Sequence, residues 1–191
     1  MVIKRIAVVV VLIVIAWLLT ALKDDMPGRV TDIGSQMETK VDIASGISFS
    51  YPKDYALQEV QPGTQDHTDL SVTFVLMPQE DYDLLGTLEG TEGPASISIL
   101  VFNNPLMLSA LDWMQEPGIA PYIPPQAGEP VAVVVDGEQG VSFPASGLYE
   151  SDNVIVSRGD TVVFLSGAYQ DSASQQREVF SGIVGSLLFI R

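Results

Sequence analysis

The chain has 191 residues, 24 acidic against nine basic, with a formal net charge of −15 and no cysteine. That length allows one domain plus an appendage, and the missing cysteines exclude disulfides, zinc–thiolate sites and a thiolate nucleophile. All the acidic residues follow Lys23, where only six basic ones remain; such a surface repels phosphate backbones, so no nucleic-acid partner is expected.

Lys4 and Arg5 precede an unbroken apolar run over residues 6–19, and Thr20, Ala21 and Leu22 follow before Lys23. As a helix, residues 6–22 span about 26 Å at about 1.5 Å per residue, enough to cross a bilayer core if the flanking cations snorkel. A cleaved secretory signal is the competing reading, but its best cleavage site, Leu19-Thr20-Ala21, has a large residue at the outer position. Residues 1–23 are therefore expected to be an uncleaved signal anchor, a single-pass transmembrane helix. Lys4 and Arg5 outweigh Lys23 and keep the amino end cytoplasmic, which places the rest outside the cytoplasm, periplasmic or at the cell surface. Residues 24–45 mix charge, Gly, Pro and small polar side chains without an apolar period, as a flexible tether would. Residues 46–191 are the expected folded domain.

From Gly46 the pattern changes to short β-type runs between turn residues. Ile47, Phe49 and Tyr51 alternate in GISFSYPKDYAL before Pro52 interrupts; further strands are expected over residues 55–60, 70–77 and 95–102. Ser109 is a plausible N-cap for a short helix over residues 110–115 containing Trp113, stopped by Glu116-Pro117-Gly118. Prolines 117, 121, 124, 125 and 130 make the next segment a surface loop. Strands over residues 131–135, 140–143, 147–156 and 161–169 then form a meander, joined by Asp136-Gly137 and Arg158-Gly159-Asp160. The last element is a helix: Ser172 and Gln175 fit a capping box, and Val179, Phe180, Ile183, Val184, Leu187 and Leu188 share one face. The expected fold class is α+β, an antiparallel β-sheet covered by helices in an α/β/α sandwich and preceded by the transmembrane helix.

Four stretches carry a family likeness. Gly46, Phe49, Pro52 and Tyr55 approximate G-x-x-F-x-x-P-x-x-[WY] with one extra residue in the spacing; Leu70 to Thr73 spell L-S-V-T; Trp113 sits in a short helix; Phe180, Ile183, Ser186 and Phe189 spell F-x-x-I-x-x-S-x-x-F. Over residues 46–190 the chain resembles the PsbP-like domains, the family of the extrinsic photosystem II subunit and of many membrane-anchored or secreted bacterial proteins. The resemblance implies a non-catalytic domain that docks on a larger assembly, here an envelope protein partner. It does not imply the photosystem role: no position matches a residue contacting the oxygen-evolving machinery, and the acidity departs from docking through basic groups.

Several short strings invite chemistry. Ser50 and Lys53 spell S-x-x-K and Ser151-Asp152-Asn153 spells S-D-N, two elements of a serine acyltransferase signature whose third, K-T-G, is absent. That signature opens a helix, whereas Pro52 and the alternation around Ser50 belong to a strand, so coincidence is the expectation. Arg158-Gly159-Asp160 matches an adhesive tripeptide, but tight turns favour the same residues. In the acidic stretch 80–92, Asp81 and Asp83 are the candidate calcium ligands, without the rest of the loop spacing. His67 is the lone histidine, so a triad or a multi-histidine metal site is not expected. Tyr51, Tyr55 and Trp113 are candidates to line a ligand groove, against the ordinary alternative of core aromatics. The expectation is a membrane-anchored, extracytoplasmic binding or assembly module with no catalytic residues and no cofactor. The alternatives are a small-ligand or calcium-binding domain and, after that, a serine hydrolase.

Overall fold

In a computed structural model that describes residues 36–63, 69–85, 93–124, 126–171 and 173–190, the alternating runs pair into antiparallel ladders. In chain order the elements are β1 (Met37–Asp42), β2 (Ile47–Pro52), β3 (Tyr55–Val60), β4 (Leu70–Pro78), helix α1 (Gln79–Leu84), β5 (Ile97–Asn103) and helix α2 (Ala110–Met114). They continue with β6 (Gln126–Ala127), β7 (Val131–Val135), β8 (Glu138–Ser146), β9 (Glu150–Arg158), β10 (Thr161–Tyr169), helix α3 (Gln175–Ser186) and β11 (Leu188–Phe189). One sheet runs β3-β4-β5-β10-β9-β8, with β6 and β7 both on the far side of β8; a smaller sheet runs β1-β2-β11.

The large sheet is buried on both faces at its centre, which is why its middle strands read as nearly continuous apolar runs rather than clean alternation. In β10, Val163 and Leu165 join one core while Val162 and Phe164 join another. The first core lies beneath α3 and the small sheet, closed by Ile47, Phe49, Phe180, Ile183 and Phe189. The second lies beneath α2 and the proline-rich segment, where Trp113 and Tyr122 both meet Phe102 edge to face, at 4.8 and 5.2 Å between ring centres. The β7–β8 hairpin turns through Asp136 and Gly137, both with positive φ, the geometry that lets a two-residue turn follow the strand twist. The Asp136 carboxylate then accepts from the Phe189 amide at 2.8 Å, tying that turn to β11.

Four expectations are corrected. Residues 37–42, inside the expected tether, form β1 and pair with β2 from Met37 opposite Pro52 to Asp42 opposite Ile47. The start of the acidic stretch is a helix, α1, with Glu80 and Asp81 in its first turn, where the helix dipole favours anions. The last helix is capped by Ser174, which accepts from the Gln176 amide, and it ends at Ser186. Leu188 is therefore in a strand and exposed, not part of the helix's apolar face. Finally, one face of the large sheet is covered by a second sheet as well as by a helix. Ser172, His67, residues 86–92 and the expected anchor at 1–23 lie outside the described residues. Among the described residues no helix is long and apolar enough to cross a membrane.

Candidate functional site

Helix α3 sits over β10 and beside β2 and leaves the β8–β9 side of the same face uncovered. The gap is a cleft of about 320 Å³. Val131, Pro144, Val154, Phe180 and Val184 give it apolar walls; Asp152, Arg177 and Ser181 line its polar side. A second, more open hollow around the start of α3 shares Asp152, Arg177 and Ser181, so these three stand on the ridge between the two depressions.

The ridge is pre-organised. Asp152 is on the same face of β9 as Val154 and meets Arg177 in the first turn of α3: Arg177 Nε donates to Asp152 Oδ2 at 2.7 Å and Nη2 donates to Oδ1 at 3.1 Å. The guanidinium also lies over the Tyr169 ring, 4.7 Å from its centre. Its hydrogen bonds to Asp152 hold it more firmly protonated than usual. Burial pushes the Tyr169 phenol up, Asp152 adds to that, and Arg177 opposes it. A fork held on both sides by a carboxylate and a ring presents fixed geometry at low entropic cost. Sequence reasoning missed Arg177 and Tyr169 and met Asp152 only inside S-D-N. The available signal was the scarcity of cations past Lys23, which makes an arginine in the first turns of an apolar-faced helix conspicuous.

The groove expected from Tyr51, Tyr55 and Trp113 is not formed as one site. Tyr51 and Tyr55 pack with the first core and Trp113 with the second, on opposite faces of the large sheet. The Tyr51 hydroxyl donates to Glu38 at 3.1 Å, and burial followed by that contact raises its pKa. Asp81 and Asp83 lie two residues apart on α1, about 200° around the axis at about 100° per residue, so they do not converge; Asp83 accepts from Gln79 at 2.8 Å. Among the described residues no three His, Cys, Asp or Glu side chains gather closely enough to hold a metal.

The enzyme-like strings are likewise dispersed. Ser50 is in β2, its hydroxyl 3.0 Å from that of Thr39 and its backbone bonded to Ser186; Lys53 is exposed in the following turn. Ser151 and Asn153 point into the opposite face of β9 from Asp152, where Asn153 donates to Ser151 Oγ at 3.0 Å. Arg158 is drawn back onto the domain, donating to the Phe189 carbonyl at 3.0 Å and pairing with Glu138 at 3.3 Å, so it does not project from its turn as an adhesive arginine would.

Neither a protein-family model nor a curated protein sequence matches the chain. Solved structures do. The solution structure of cyanobacterial PsbP (CyanoP) from Synechocystis sp. PCC 6803 is similar at a TM-score of 0.52 and 13% identity, over 85% of this chain and 96% of that one. A crystal structure from Bacteroides thetaiotaomicron VPI-5482 is similar at 0.50 and 12% identity, over 81% of this chain but 48% of that one, so this chain spans about half its length. At these identities the likeness is one of fold: the domain has the PsbP-like fold, mostly antiparallel sheet with few helices.

Proposed function

We propose that the domain is a non-catalytic binding or assembly module at the cell envelope, held at the membrane by residues 1–23 and acting outside the cytoplasm. The observation that carries this reading is the β7 edge. Exposed strand edges are templates for another chain, and proteins blunt them with charge. β1 carries Glu38, Lys40 and Asp42, and Lys40 pairs with Glu59 of the β3 edge at 2.8 Å. β7 is Val-Ala-Val-Val-Val without a charge, and Val131 and Val134 are 62% and 70% exposed. Its ladder among the described residues is with β8. Because Val135 and Glu138 close a two-residue turn, Ala132 and Val134 turn their N–H and C=O groups away from β8. Val131 also lines the cleft. An extended partner segment that pairs with β7 would reach the cleft with its side chains and meet the Arg177 ridge, which is recognition by strand addition. The PsbP-like fold favours the same reading.

A small apolar ligand is the second reading, favoured by the cleft volume, which falls within the range of small-molecule sites. The two separate by the size of the native complex. In mild detergent extracts the full chain is expected to migrate in an assembly larger than itself, and Val134→Lys is expected to release it. Unchanged migration of that variant would remove the β7 reading.

A further inference from the structure

On the other face of the large sheet, the loop over residues 104–108 connects β5 to α2 and holds two bare apolar side chains in solvent. Leu106 and Met107 are 72% and 71% exposed. An isolated exposed leucine needs no explanation; a braced pair does. Asn104, 2% exposed, donates from Nδ2 to the Leu108 carbonyl at 2.9 Å and to Ser157 Oγ at 3.2 Å, and its Oδ1 accepts from the Leu108 amide at 3.0 Å. Ser157 in turn donates to the Leu108 carbonyl at 2.7 Å. The Asn104 amide donates to the Asp160 carbonyl at 2.6 Å. Met107 has φ +51°, the left-handed region that a non-glycine residue adopts only when its surroundings impose it. These bonds fix the shape of the loop with both side chains exposed.

We infer that Leu106 and Met107 are anchors for an apolar pocket on a partner protein, a pocket rimmed by lysine or arginine. The rim follows from charge. From residue 54 to residue 157 the sequence contains no lysine or arginine, so neither the loop nor α2 nor the proline-rich segment carries a cation. A depression of about 130 Å³ at the foot of the loop is lined by Leu106 and Trp113 together with Asp69 and Glu116; Asp112, in α2, and Asp160, whose carbonyl accepts from the Asn104 amide, are both exposed. Such surroundings repel an anionic membrane and a second copy of this chain alike, and they complement a basic rim. The pre-formed loop also reduces the ordering cost that flexible anchors carry on binding. This surface rests on the binding-module reading but not on β7, which lies at the sheet edge.

The test is photo-crosslinking in intact cells with the full chain carrying Met107→p-benzoylphenylalanine, followed by mapping of the adduct. The inference predicts one protein adduct at an apolar site flanked by lysine or arginine. Its yield should fall at least about tenfold with Leu106→Ser and with Glu116→Lys, as truncation of a hot-spot anchor or reversal of a complementary charge does. Both positions are exposed, so an unchanged Tm confirms that the variants fold. Adducts to lipid, to a second copy, or to a protein site without basic neighbours would overturn it. So would the absence of any adduct while the Val134-dependent assembly persists, an outcome that leaves the binding-module reading standing.

Discussion

Phe180 of α3 rests on Gly167 of β10 so closely that a Cβ added to the glycine would stand 2.6 Å from Phe180 Cγ and 2.9 Å from its Cβ. The conflict is with the root of the ring, which cannot swing aside without moving the helix. Gly167→Ala is therefore expected to lift α3 and cost about 1–3 kcal/mol, the usual range for overpacking. Urea denaturation checks this as a lower midpoint at unchanged slope. Because Phe180 also walls the cleft, the same substitution should weaken whatever the cleft holds.

The Arg177–Asp152 pair has near-ideal fork geometry but is only partly buried, its side chains 38% and 28% exposed. Solvent screening limits its worth. A double-mutant cycle with Arg177→Gln and Asp152→Asn is expected to give a coupling of about 0.5–1 kcal/mol, and that coupling should shrink as salt is raised. Coupling of several kcal/mol, or coupling indifferent to salt, would contradict the description of an exposed ridge.

Burial pushes the Tyr55 phenol from 10.0 up to about 12, with Asp54 and Asp81 adding to the shift. Between those values the folded chain keeps a proton that the unfolded chain has lost, so stability falls with rising pH there. The contribution is complete below about pH 10 and is lost as pH climbs through about 12. Tyr55→Phe should flatten the alkaline decline, read from melting curves taken at increasing pH, without removing it, since Tyr51 and Tyr169 are also raised. A decline as steep as that of the parent chain would show that Tyr55 is not the group responsible.

What the sequence made legible is what strand and helix periodicity encode. Phe49 at the centre of β2, the Asp136-Gly137 turn and the Val179–Phe180–Ile183 face of α3 all follow from local pattern, and the structure buries or turns them accordingly. β1 escaped notice because Glu38, Lys40 and Asp42, the charges that protect its edge, erase the look of a strand. α1 was hidden by an acidic composition that suits a first helical turn as well as a loop. The site was harder still. Asp152 and Arg177 are brought together because α3 crosses β10, the neighbour of β9, and the long arginine side chain reaches over to Asp152; no spacing in the chain announces that contact. Likewise Tyr55 and Trp113 look equally aromatic in sequence; only the pleat of β3 and the docking of α2 on the other face of the sheet assign them to opposite cores.

The binding reading is tested most directly at the backbone of β7. Hydrogen exchange should be compared between the full chain alone in detergent and the same chain in the assembly purified from membranes. The Ala132 and Val134 amides, which point away from β8, are expected to exchange quickly in the chain alone and at least about tenfold more slowly in the assembly, because strand addition supplies their hydrogen-bond partners. Equal exchange of those two amides in both states would show that nothing pairs with this edge.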